Sequence, residues 1–196
     1  MAEWLLAVDP GTRESGVLWY SSEGKILEPA VVPNEVVLDI METPPAEAAL
    51  NPCYTIAVEA IACYGEAIGV ETLETELLVG RLVQHWIGKT RVQVLRHREL
   101  ATKRIKTLVG DNGRNAILVY RKEVCKHLCN TSNAKDSNVH QSIVDRYGPS
   151  MSKAKGNKRN PGPLYGIATH MWSALGVAIT ATEKSAYYLS DVSERI

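Results

Sequence analysis

Two short apolar runs, each closed by a carboxylate, constrain this chain more than any other feature. Trp4-Leu5-Leu6-Ala7-Val8 leads into Asp9-Pro10-Gly11, and Thr55-Ile56-Ala57-Val58 leads into Glu59. Apolar runs this short, bounded by turn signals, read as buried strands, because helices need more length. A carboxylate is costly to bury, so an acid ending such a strand sits at a sheet rim or meets a ligand. The Asp-Pro-Gly step also reads as an ordinary hairpin turn. The pair of acids says more than either alone.

The elements around these runs fill in a mixed α/β sheet with helices on both faces. Val17-Leu18-Trp19-Tyr20 follows the first strand at hairpin distance, and a third strand is expected near Lys25 to Val32, making an antiparallel meander. Asn34 is expected to cap a helix over Glu35 to Met41, stopped by Pro44-Pro45. From Val70 to Ile87 the pairs Leu78/Val79, Leu82/Val83 and Trp86/Ile87 recur every four residues, the stripe of an amphipathic helix. A strand is expected over Arg91 to Leu95, then basic helices around Glu99–Val109 and Lys122–Leu128, then a helix over Val139–Tyr147. Residues 150–163 read as a basic Gly/Pro linker inside one domain spanning 1–196, and a last helix is expected from Thr169 to about Thr182.

With 45% hydrophobic residues the chain can bury a substantial core, and no apolar run approaches the ~20 residues of a membrane span. Glu3 near the start and the lack of a signal-like segment lead us to expect a cytoplasmic protein. Cys53, Cys63, Cys125 and Cys129 show no CxxC spacing; Cys125, His127 and Cys129 are close in sequence but alternate around a helix, so thiols rather than zinc ligands are expected. The zero net charge hides an asymmetry: residues 1–88 sum to −11 and residues 89–159 to +12. A basic middle third fits a nucleic-acid binder, and it also fits solvated helix faces.

Asp9 and Glu59, on the ends of central strands, could share hard cations, and two-metal phosphodiester cleavage uses ions ~3.5–4 Å apart. His170 opens the expected last helix, with Ser173 one turn further on the same face. Ala174, Val177, Ala178 and Ala181 are small enough for that helix to pack closely and bring His170 near the acids. A lone histidine at a helix start is also commonly structural.

Three ordered blocks carry a resemblance. LLAVDPGTRESG (5–16), TIAVEA (55–60) and HMWSALGVAIT (170–180) resemble RuvC-type Holliday junction resolvases of the ribonuclease H-like superfamily. ACYGEAIG (62–69), residues 120–148 and NPGPLYGIATHMW (160–172) are similar to the bacteriophage branch. The resemblance implies a ribonuclease H-like fold and a homodimer that cuts branched DNA, four-way junctions above all, with Mg²⁺ or Mn²⁺. It implies Asp9, Glu59 and His170 as metal ligands and catalytic groups. Ser173 stands where many relatives place an acid, and Asp136 is the candidate to compensate, unless it is a surface helix-capping residue. Residues 96–115 look like an insertion relative to phage-type proteins.

DNA contacts are expected from Lys103, Lys106, Lys126, Lys135, Lys153, Lys155, Lys158 and Arg159, with Tyr64 stacking on an unpaired base or packing in the core. The helix of Leu78, Leu82 and Trp86 is expected either to form a dimer interface or to be core. Two other functions stay open. Asp-x-Gly-Thr also begins the nucleotide loops of actin-like ATPases and sugar kinases, although those need two lobes. Ser173 is compatible with a catalytically weak or inactive junction-binding relative.

Overall fold

A computed structural model describes residues 3–50, 55–62, 68–88, 93–94, 106–110 and 112–193. The chain runs β1 (Trp4–Pro10), β2 (Glu14–Ser21), β3 (Ile26–Pro33), α1 (Val36–Glu42), α2 (Ala46–Ala49), β4 (Thr55–Ala60) and α3 (Val70–Ile87). Then come β5 (Gln93–Val94), β6 (Lys106–Val109), β7 (Asn115–Tyr120), α4 (Arg121–Cys129), α5 (Asp136–Tyr147), α6 (Met151–Lys155) and α7 (Met171–Ser193). The strands form one mixed sheet of seven, in the order β3-β2-β1-β4-β7-β6-β5. The meander β1-β2-β3 is antiparallel, whereas β1, β4 and β7 run parallel through the centre. Central parallel strands are covered on both faces, which is why β1 and β4 read as unbroken apolar runs.

Alternation along each strand sorts the core into two layers. Leu5, Ala7, Leu18, Ala57, Ile117 and Val119 face α4, α5 and α7. Leu6, Val8, Val17, Trp19, Ile56 and Val58 face α1 and α3. Fully buried leucines on either side, such as Leu82 and Leu175, contribute about 1.5–3 kcal/mol each. Small residues let α7 lie close: a Cβ on Gly176 would stand 2.9 Å from a Val124 methyl on α4. None of the helices among the described residues is long and apolar enough to cross a membrane.

Several expectations change. The basic stretch up to Val109 does not end as helix; Lys106–Val109 is β6, because Leu108 faces the core and the strand pairs antiparallel with β7. β7 is a strand that the sequence pattern does not announce, since NAILVY abuts the basic helix that follows it. Asn34 is not a side-chain cap: α1 starts from Glu35 without one, and the Asn34 amide is used elsewhere. Leu78, Leu82 and Trp86 are core, leaving Val70, Leu73 and Leu77 as the exposed apolar residues of α3. Residues 150–163 hold α6 and a tight loop, where a Cβ on Gly162 would come within 2.3 Å of the Ala154 carbonyl oxygen.

Candidate active site

The alternation that sorts the core also selects the site. Past Leu5 and Ala7 the next residue on the α7 side of β1 is Asp9; past Ala57 on β4 it is Glu59. The two strands are in register, with Val8 beside Val58, so one step on the two acids stand side by side on neighbouring parallel strands. On β7, Glu59 pairs with Val119, and the next position on that face is Arg121, the first residue of α4. Sequence reading misses Arg121 because it misses β7. Once NAILVY is a strand, the two-residue period brings Arg121 to the acids.

The electrostatics follow from this crowding. Burial raises the Asp9 carboxyl to about 6, against the opposing influence of Glu59, Arg121 and the Ser173 hydroxyl. Glu59 is raised further, to about 8, by burial first and then by the charge and shared proton of Asp9, with Arg121 opposing. Between those two values the pair holds one proton and titrates as a unit, because burial and mutual repulsion oppose a second charge. Two carboxyls that share a proton this way are a place a cation would be welcome.

His170 meets this pair from the other side. Its Nδ1 lies 3.0 Å from Asp9 Oδ2, in a contact with Asp9 largely buried and His170 44% exposed. As expected, His170 opens the last helix: it stands directly before Met171, and its carbonyl accepts from Ala174 N–H at 3.1 Å, the first bond of α7. Thr169, the expected start of that helix, takes a left-handed backbone with φ 40°, a conformation that costs about 1–3 kcal/mol at a β-branched residue. Packing holds it: a Cβ on Gly16 would stand 2.5 Å from the His170 carbonyl, so only glycine lets this turn settle on the β1–β2 hairpin. Asn34 fixes the loop after Asp9, donating to the Gly11 carbonyl at 3.0 Å and accepting from Ser15 at 2.7 Å.

No family model matches the chain, and no curated protein matches it. Solved structures do. Thermus thermophilus RuvC superposes with a TM-score of 0.52 at 15% identity, covering 93% of this chain and 96% of that one. T. thermophilus RuvC in complex with a Holliday junction substrate gives a TM-score of 0.56 at 13% identity, covering 93% and 94%. The fold is ribonuclease H-like, that of RuvC. At such identity the likeness shows architecture, and residue roles have to be argued from this chain's own geometry.

In this RuvC fold the donor set at the sheet edge consists of two carboxylates, an imidazole and the half-buried Ser173 hydroxyl. Paired, largely buried carboxylates suit Mg²⁺ or Mn²⁺, hard ions that favour oxygen ligands and retain water. Among the described residues, no three His, Cys, Asp or Glu side chains converge closely enough to hold a metal ion by themselves. Asp136 is not the missing acid by contact. Its side chain is 79% exposed at the start of α5, and it accepts a hydrogen bond from the Arg121 guanidinium. Its charge is nevertheless felt by both Asp9 and Glu59.

The expected DNA-contacting residues that are described lie on the α4–α7 side of the sheet, except Lys106, which lies in β6. Lys126, Lys135, Lys153, Lys158 and Arg159 are exposed or nearly so. Lys155 is half-buried, its ammonium 5.3 Å from the Trp172 ring centre, and Trp172 also stacks on His140 at 4.7 Å. Lys103, Tyr64, Cys53 and Cys63 fall outside the described residues. Cys125 and Cys129 are free thiols, and His127 pairs with Glu183 at 2.6 Å.

Proposed function

We propose that this chain is a divalent-metal-dependent endonuclease that cuts phosphodiester bonds in branched DNA, four-way junctions foremost. The observation that carries this is the meeting of Asp9 and Glu59 on adjacent strand ends with His170 hydrogen-bonded to Asp9. Asp9 and Glu59 would hold Mg²⁺ or Mn²⁺, which when bound supplies Lewis-acid activation of water and phosphate. Asp9 accepts from His170 Nδ1, which leaves Nε2 as the nitrogen able to take a proton from attacking water or to join the ligand set. Ser173 favours the ionised form of Asp9 and so keeps its carboxylate available for the ion. Phosphate contacts by Lys126, Lys135, Lys153, Lys155, Lys158 and Arg159, together with Lys103 and Lys106, would supply affinity without sequence reading, and Tyr64 would stack on an unpaired base.

The working unit in this reading is a homodimer, since a symmetric junction presents two scissile phosphates. Support comes from the outer face of α3, where Val70, Leu73 and Leu77 are 71%, 53% and 70% exposed. Gly80, on the same face, has nothing within 4 Å of where its Cβ would be. An antiparallel pairing of two α3 helices centred near Leu77 would set Glu74 of each copy against Arg81 of the other. The kinship with the phage branch, and with it action in a host cytoplasm, rests on residues 62–69, 120–148 and 160–172 alone.

Incubation of a synthetic four-way junction and a linear duplex with the protein in Mg²⁺, Mn²⁺ or EDTA tests the function. Metal-dependent nicking of the junction and not the duplex is the expected result. Binding without nicking in either metal would favour the inactive relative, the reading that Ser173 keeps in view.

A further inference from the structure

Arg121 faces two rival partners. It occupies the position after Ile117 and Val119 on the face that carries Asp9 and Glu59, and its side chain is one-third exposed. Its guanidinium donates to Asp136, an exposed carboxylate at the start of α5. The acid pair, deeper and more crowded, competes for the same cation, and Arg121 acts electrostatically on both of its members. The other groups facing this corner are Cys125 on α4, His140 on α5, Ser173 and His170 at α7, and Lys155 on α6, whose ammonium lies over Trp172.

Where the guanidinium rests decides what the acids can hold. Turned onto Glu59, it would neutralise the pocket and fill its mouth. Drawn outward, it leaves both carboxylates to a divalent ion and keeps a positive charge at the rim, where a phosphate would arrive.

We propose that Asp136 is a positioning residue that holds Arg121 at the rim of the Asp9–Glu59 pair, so that Asp136 governs divalent-ion affinity through Arg121 without touching the ion. This rests on the reading of Asp9 and Glu59 as the metal site. It gives Asp136 a role that is neither that of a fourth ligand nor that of a silent surface residue.

The test is Mn²⁺ binding by the full chain without DNA, followed by the electron paramagnetic resonance signal of free Mn²⁺. Wild type, Asp136→Asn, Arg121→Gln and the double variant are compared. Asp136→Asn should weaken Mn²⁺ binding by about tenfold, the scale of losing a group that orients a metal site. In the Arg121→Gln background the same change should have little effect, because the guanidinium that would invade the pocket is gone. Asp136→Glu, which keeps a carboxylate for Arg121, should retain wild-type affinity and serves if Arg121→Gln does not fold. Equal losses from Asp136→Asn in both backgrounds, or no loss in either, would overturn the proposal, as would a tenfold loss in Asp136→Glu. A wild-type protein that takes up no Mn²⁺ at all would overturn the metal-site reading itself, an outcome distinct from either.

Discussion

On one side of the sheet α1 and α3 cover Leu6, Val8, Trp19, Ile56 and Val58; on the other α4, α5 and α7 cover Leu5, Ala7, Leu18, Ala57 and Val119. The buried layers are alike in chemistry, but their outer surfaces are not. Beyond the α3 layer lie Glu71, Glu74, Val70, Leu73 and Leu77, an acidic and apolar exterior. Beyond the α7 layer lie Lys126, Lys135, Lys153, Lys158 and Arg159, and at its sheet edge the paired acids. The charge asymmetry along the sequence has become an asymmetry across the sheet. In the proposed reading one face would meet a second copy and the other a polyanion.

The sharpest way to break this comparison is at the acids. Asp9→Asn and Glu59→Gln should each lower junction nicking in Mg²⁺ by more than ~10²-fold while leaving junction binding intact or tighter, since each would remove a proposed metal ligand and lessen repulsion of phosphate. A gel assay separates the two readouts. Wild-type nicking by either variant would remove chemistry from this face altogether.

On the α3 face the corresponding change is Leu77→Glu, which sets like charges against each other at the centre of the proposed pairing. Leu77 is 70% exposed, so the monomer should fold normally. Sedimentation should show dissociation shifted at least ~10-fold towards monomer, consistent with the removal of a central apolar anchor. Glu74→Arg with Arg81→Glu, which restores the pairs in reverse, should recover the dimer that either change alone weakens. A monomeric wild type would leave the exposed leucines without this explanation.

A smaller effect is expected from replacing Lys153, Lys155, Lys158 and Arg159 together by Ala. Junction binding should weaken for any sequence, and the slope of log affinity against log salt should flatten by ~0.9 for each duplex phosphate that is no longer neutralised. Lys155 should contribute least of the four, because its ammonium already lies over Trp172. An unchanged slope would make the loop a solvated surface, and the basic face would shrink to α4 and the start of α5.

How far the sequence revealed these faces depends on where the signal was local. β1, β4 and α3 were legible because each carries its full pattern within one run: apolar strands closed by an acid, and leucines every four residues. β7 was not, since NAILVY runs directly into RKEVCK and the helical pattern outweighed the strand. Without β7, Arg121 has no visible place, because its position depends on a register shared with β4. Asn34 looked like a cap by type, yet it binds the Gly11 carbonyl, a partner 23 residues away that no local pattern discloses. The meeting of His170 with Asp9 was expected from small residues on α7, but the left-handed Thr169 and the close approach of His170 to Gly16 belong to tertiary packing.

The last expected effect is on stability, and it probes the acid-bearing face by proton linkage. Burial raises Asp9 from an ordinary 3.8 to about 6, and Glu59 from 4.5 to about 8. Between those ordinary values and the raised ones, the folded protein holds protons that the unfolded chain has released. Stability from this pair is therefore fully present below roughly pH 4 and declines as pH rises towards about 8. Glu59→Gln keeps the shape and a donor for Asp9 but cannot ionise. In metal-free buffer the wild-type Tm should fall relative to that of Glu59→Gln as pH rises from roughly 5 to 8.5. Taking the difference between the two proteins cancels Glu183, which is held low by Arg146 and His127 and pulls stability the opposite way, losing it as pH falls. Saturating Mg²⁺ should reverse the trend for wild type alone, because an ion that replaces the shared proton binds better as the carboxyls ionise. Parallel Tm curves for the two proteins in EDTA would mean that the acids do not share a proton, and the electrostatic case for a cation between them would fall.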